Sequence, residues 1–198
     1  MGMEEMIVGI AGKIAAGKTT VAKFLEEFGF CRISCSEPLI DIITGNTKDY
    51  SWVPEIDFKG EPTRENLIEL GRLLKERYGE DVLIRLAVDK LRRCKNIAID
   101  GVRSLEEVRA IKEMGGIIIY VEARPEIRFE RLRRRGADKD RGIKSLEDLL
   151  KFDEWEENLY KTRKIKDIAD YVILNEGSIE DLKREVKELL AREKIRQY

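Results

Sequence analysis

A nearly continuous apolar run, Met6 to Ala11, opens directly into Gly12-Lys13-Ile14-Ala15-Ala16-Gly17-Lys18-Thr19, a complete G-x-x-x-x-G-K-[ST] string. No other feature of this chain restricts its fold as much. The run has the character of a strand buried on both faces. Thr19 to Phe28 follows with helical spacing, Val21, Leu25 and Phe28 apolar against Lys23, Glu26 and Glu27, and Gly29 stops it. Strand, glycine loop and helix in that order make a cradle for phosphate. Gly12 and Gly17 allow backbone angles and a close approach that a side chain would block, so successive N–H groups turn toward one anion. The helix start adds unpaired N–H groups and the positive end of its dipole. Lys18 is placed to reach the β- and γ-phosphates of a nucleotide and the Thr19 hydroxyl to ligate Mg2+, with Thr20 next in the first turn.

The rest of the chain alternates short β-rich runs with longer amphipathic ones, which predicts a parallel sheet with crossover helices. Phe30–Ser34, Ile97–Asp100, Ile117–Val121 and Tyr171–Leu174 read as further strands. Ser104 with Glu107, Ser145 with Asp148 and Ser178 with Asp181 have the spacing of capping boxes. Thr63 is expected to cap a helix over Arg64–Tyr78, and Pro125 suits the first turn of a helix over Pro125–Arg135. Ile179 to Ile195 is an amphipathic helix with Leu182, Val186, Leu189 and Leu190 inward. The irregular stretch Gly45 to Pro62 reads as a surface loop, and its Tyr50, Trp52 and Phe58 either cover a base or anchor the loop. With 198 residues and no repeat or linker, one α/β domain is predicted.

Composition excludes several classes. Lys plus Arg is 38 against 39 Asp plus Glu, a net charge of −1, so the overall charge does not suit a general nucleic-acid coat. No apolar run approaches the roughly 20 residues that span a bilayer, and Glu4 and Glu5 before the first apolar run do not suit a secretory signal. Three cysteines, Cys31, Cys35 and Cys94, are expected as reduced thiols in a cytoplasm, Cys31 and Cys35 packing as small buried residues. No histidine is present, which removes Ser-His and Cys-His catalysis, His-ligated zinc and a histidine base. Abundant Glu, Lys and Arg with a single glutamine fit a thermophile.

Asn96-Ile97-Ala98-Ile99-Asp100 is an apolar strand ending on a carboxylate, where Mg2+ is held directly or through water. With these motifs the chain resembles the P-loop nucleoside-monophosphate-kinase-like superfamily over nearly its whole length. Nothing matches the N-K-x-D guanine signature of GTPases, and a large AAA or helicase motor needs a longer chain. Asp100-Gly101-Val102-Arg103 is similar to the D-G-x-x-R region of nucleotide kinases, with the arginine one place early. Arg131 and Arg135 resemble lid-entry arginines that stack on adenine and touch ATP phosphates, and the stretch Ala169 to Ser178, with Asn175, is similar to the adenine-side end of dephospho-coenzyme A kinases.

The resemblance implies a three-layer sandwich on a five-stranded parallel sheet of order 2-3-1-4-5, a helical acceptor-side region over residues 36–91 and a lid over residues 131–145. It implies ATP with Mg2+ and a small nucleotide-type acceptor. The middle of the chain, with Ser36-Glu37-Pro38-Leu39, Thr63 to Leu67 and Gly71-Arg72, looks most like deoxynucleoside monophosphate kinases. A (deoxy)nucleoside monophosphate is therefore the first acceptor, held by Ser36, Arg64, Arg72 and Arg103. Dephospho-coenzyme A kinase is the alternative, although Ser34-Cys35-Ser36 stands where that family shows a D-A-D turn and its His-Pro pair is absent. Lys18, Arg135 and Arg141 would hold the transferring group, and Asp100 would assist metal or acceptor. The six arginines between Arg124 and Arg135 read as a lid, as a solvated helix face with Glu130 opposing Arg133 and Arg134, or as a nucleic-acid patch. A rival from another class is an ATPase switch acting on RNA or protein. The oligomeric state is not legible.

Overall fold

Strand order follows from which runs are apolar on both sides. The structure, a computed structural model, describes residues 6–136 and 142–196. Its elements are β1 (Met6–Gly12), α1 (Lys18–Glu27), β2 (Cys31–Ser34), α2 (Glu37–Thr44), α3 (Arg64–Tyr78), α4 (Val82–Lys90), β3 (Asn96–Val102), α5 (Leu105–Glu113), β4 (Ile117–Glu122), α6 (Pro125–Arg135), α7 (Leu146–Tyr160), α8 (Thr162–Ile168), β5 (Tyr171–Leu174) and α9 (Ile179–Arg196). The five strands form one sheet, order β2-β3-β1-β4-β5, every pairing parallel. The central strands β1, β3 and β4 are the most apolar, and β1 lies between the other two.

Alternation along each strand sends side chains to two cores. Val8, Ile10, Ala98, Ile119, Val121 and Ile173 pack with α1 and α9, while Ile33, Ile97, Ile99, Ile118 and Tyr120 pack with α4, α5 and α8. A third cluster joins α2, α3 and α4 to the 45–62 loop through Leu39, Tyr50, Leu70, Leu74, Val82 and Leu86. Trp52 and Phe58 pack against that cluster, and the Tyr50 hydroxyl donates to Asp41 at 2.8 Å, so these aromatics anchor the loop. The caps form as their spacing predicts. Thr63 accepts from the Asn66 N–H, and Ser104–Glu107 and Ser145–Asp148 are reciprocal boxes. Ser178 and Asp181 exchange the same two bonds.

Parallel pairing places all strand C-termini, and so the phosphate loop, on one edge of the sheet. Register puts Asp100 between Ser34 of β2 and Ile10 of β1, directly beside the strand that runs into the loop. Gly101, at φ +86, is the extra residue where the β1–β3 register shifts, and the bulge ends regular pairing just past Asp100.

The cysteine expectation is corrected in part. Cys31 and Cys94 form a disulfide, and Cys35 alone is a buried free thiol. The partners are 63 residues apart in sequence, yet Cys31 starts β2 opposite Ile97, and Cys94 sits in the turn that leads into β3. The bond closes a loop containing α2, α3 and α4. Replacing both cysteines with serine should therefore lower unfolding free energy by about 2–4 kcal/mol. Denaturant midpoints with and without reductant measure it, and coincident curves would show that the bond constrains nothing.

Candidate active site

The loop is built on two glycines that other residues cannot replace. Gly12 stands at φ +143, and a Cβ there would lie 2.2 Å from the Val121 carbonyl oxygen. Gly17, at φ +111, caps α1, and its Cβ would meet the Asn175 amide nitrogen at 2.2 Å. The loop carbonyls are held from behind. Arg128 donates to the Ile14 oxygen at 3.3 Å, Arg131 to the Ala15 and Ala16 oxygens at 3.3 and 3.1 Å, and the Asn175 amide to Ala16 at 2.8 Å. The Ala16 N–H donates to the Lys13 carbonyl at 3.2 Å, and bracing the Ile14, Ala15 and Ala16 carbonyls fixes the loop shape that turns its other N–H groups toward an anion, the arrangement a phosphate cradle needs. Arg131 also donates to the Asn175 carbonyl at 2.7 Å, so these two residues, expected beside adenine, support the loop itself.

Inside the loop, Lys18 folds across to donate to the Lys13 carbonyl at 2.8 Å. Burial pulls its ammonium pKa down to about 8; Asp100 opposes that shift and Arg103 adds to it. Thr19 donates its hydroxyl proton to Asp100 Oδ2 at 2.9 Å, which leaves the threonine lone pairs free. Asp100 is buried, and its Oδ1 is the one buried side-chain oxygen or nitrogen without a hydrogen-bond partner among the described residues. A carboxylate oxygen left bare in this way is costly. A divalent cation, or water bound to one, would satisfy it, so the residues present fit Mg2+ held by Thr19 with Asp100 behind.

Two further acids reach the loop from α7. Asp153 is buried against Arg128, which is only 1% exposed, through bonds of 2.9 and 2.5 Å, and Lys13 approaches the same carboxylate at 3.5 Å. Glu156, also buried, faces Arg103 at 3.9 Å. Burial raises its pKa, while Arg103 and Lys18 draw it down and Asp153 adds to the rise. Arg128, Asp153 and Glu156 escaped the sequence reading. Their one signal is that Asp153 and Glu156 stand four and seven residues beyond buried Leu149, on the face where apolar residues are normal.

The acceptor-side residues are not all brought together. Arg103 sits beside the loop, and Ser36 caps α2 with its hydroxyl 3.2 Å from that of Ser34. Arg72 is exposed on α3 and engaged by Glu69 and Glu76 of the same helix. Arg64 opens α3, but its side chain lies outside the described residues, as does Arg141. Arg135 ends α6 at the surface. The arginine run divides by role: Arg128 and Arg131 turn inward, Arg124 pairs with Glu176, and Arg133 and Arg134 pair with Glu130.

Comparison with known proteins agrees with this geometry. The family described as AAA domain matches residues 8–151, so that label applies to a phosphate-loop core much shorter than the motors set aside on size. A UPF0200 protein of Sulfurisphaera tokodaii is 32% identical over 187 residues, covering 94% of this chain and 96% of its own. Among solved structures, shikimate kinase from Bacteroides thetaiotaomicron aligns with a TM-score of 0.56 at 18% identity, covering 94% of this chain and 98% of its own. Dephospho-CoA kinase from Campylobacter jejuni aligns with a TM-score of 0.54 at 16% identity, covering 99% and 100%. At such identities the likeness is one of fold. With a phosphate loop held on the edge of a 2-3-1-4-5 sheet and relatives matched end to end, the chain belongs to the UPF0200 family, built on the P-loop kinase fold.

Proposed function

We propose that this protein is an ATP- and Mg2+-dependent phosphotransferase acting on a small nucleotide-type acceptor. The observation that carries the reading is the Thr19–Asp100 pair beside Lys18, with its bare Asp100 oxygen, at the mouth of a braced phosphate loop. Phosphoryl transfer asks a protein chiefly for alignment and charge stabilisation, and these groups supply both. Residues 36–91 would form the acceptor side and residues 131–145 the lid, with Arg135 and Arg141 closing on the transferring group.

A (deoxy)nucleoside monophosphate is the first acceptor, gripped by Arg103 and Arg64 with Ser36 nearby. Arg72 contributes less to that case, because Glu69 and Glu76 already hold its guanidinium. A dephospho-coenzyme A-type hydroxyl acceptor is the second reading, favoured by the additional carboxylate of Glu156 beside Arg103. The single test is ADP release measured with nucleoside monophosphates, with dephospho-coenzyme A, with RNA and with no acceptor. Acceptor-dependent release is expected. Release that only RNA raises would favour an ATPase switch instead. No helix among the described residues is long and apolar enough to cross a membrane.

A further inference from the structure

One carboxylate at the loop has no task in the scheme above. Glu156 is 7% exposed, its nearest charged partner is Arg103 at 3.9 Å, and among the described residues it accepts no hydrogen bond. Its neighbour on α7 differs: Asp153 is fully engaged by Arg128 and Lys13. Asp100 Oδ1 is the one sealed side-chain atom without a partner among the described residues, so the Glu156 oxygens are the part of that side chain that reaches solvent, beside the phosphate loop, where they are free to bond to what enters. The charged groups facing it are Arg103 after β3, Lys18 on α1, Lys13 in the loop and Asp153 on its own helix.

We propose that Glu156 is the catalytic residue that takes the proton from an acceptor hydroxyl, which selects the second reading above, a hydroxyl acceptor, over the monophosphate. The proposal rests on the phosphotransferase reading. In the step, the acceptor O–H bond breaks and its proton passes to the Glu156 carboxylate. The freed oxygen pair forms a bond to the γ-phosphorus. The bond from that phosphorus to the β–γ bridging oxygen breaks, and its electrons leave on ADP, whose new charge lies against Lys18. A monophosphate is already largely ionised near neutral pH and needs no base, and a carboxylate facing it would repel it. A hydroxyl needs a base, and a carboxylate without donors, raised above its ordinary range by burial, is suited to that work.

The test uses the whole chain with Mg2+-ATP, offering adenosine and dephospho-coenzyme A as hydroxyl probes and AMP and dTMP as monophosphate probes. Phosphorus NMR distinguishes a new phosphate monoester from a new diphosphate. The expected result is a monoester formed at a rate that rises with pH as Glu156 ionises. Glu156→Gln should lower that rate by at least about 10²-fold and flatten the rise. Calorimetric affinity for Mg2+-ATP and the thermal midpoint should stay unchanged, and Glu156→Asp should keep the pH-dependent rise at a reduced rate. In the free protein, a carboxyl ¹³C signal missing from Glu156→Gln should titrate above the usual glutamate range. A diphosphate product, a loss under about tenfold in Glu156→Gln, or a loss shared by ATP affinity and thermal midpoint would each overturn the assignment while leaving the phosphotransferase reading in place. Transfer to none of the probes, with ATP still bound, would bring down that reading and the assignment together.

Discussion

Lys18→Ala should cut phosphoryl transfer by about 10²–10³-fold, the cost of removing one preorganised donor aimed at charge that develops in the transition state. The ammonium reaches the Lys13 carbonyl across the loop, so it spans the space in which a phosphate would be cradled. Burial already holds its pKa down to about 8, which means that the site carries a partly desolvated cation before any anion arrives. An incoming phosphate would relieve that condition, and the charge growing toward the β–γ bridge would relieve it further. The alanine variant loses both effects, and removing a half-buried charge should leave the thermal midpoint level or slightly raised. Initial rates of ADP release with saturating acceptor, beside a melting curve, measure the two predictions. A rate within about tenfold of the parent would remove Lys18 from the transfer step.

Much of this fold was legible because its signals are local. Met6 to Thr19 declares strand, loop and helix in one stretch, and the serine caps mark helix starts through bonds spanning three residues. Asp100 was legible for a related reason, since a strand end in a parallel sheet is where ligands collect. The disulfide was not, because 63 residues separate its cysteines and only the β2–β3 pairing brings them together. Arg131 and Asn175 were found, but their bonds to the loop carbonyls depend on α6 and the end of β5 folding behind the loop. On α7 the pattern misleads. Leu150, Trp155 and Leu159 are exposed, Trp155 at 46%, whereas Asp153 and Glu156 point inward. Acids occupy that face because their partners, Arg128 and Arg103, lie 25 and 53 residues away, and no local window contains both halves of either pair.

Asp153→Ala should destabilise the fold by about 3–5 kcal/mol, the range for stripping one partner from a buried ion pair. Arg128 is held by two bonds to Asp153 and by one to the Ala123 carbonyl at 3.0 Å, and it braces the Ile14 carbonyl of the phosphate loop. Without Asp153 its charge stays buried with carbonyl dipoles alone, and Lys13 loses the same carboxylate. Surface pairs such as Arg134 with Glu130 set the contrast, since exposed ion pairs contribute about 0–1 kcal/mol. The pair's net value is a separate matter from the cost of breaking it. Replacing both residues, Arg128→Met with Asp153→Leu, should recover most of the lost stability, because apolar groups of similar volume need no compensation in the interior. The double variant should still bind nucleotide more weakly, as the Ile14 carbonyl would lack its brace and the loop its fixed shape. Denaturant unfolding of the single and double variants, with calorimetry of ATP binding, separates the two contributions. A loss below about 1 kcal/mol in Asp153→Ala would mean that water reaches Arg128 and that the pair behaves as a surface one.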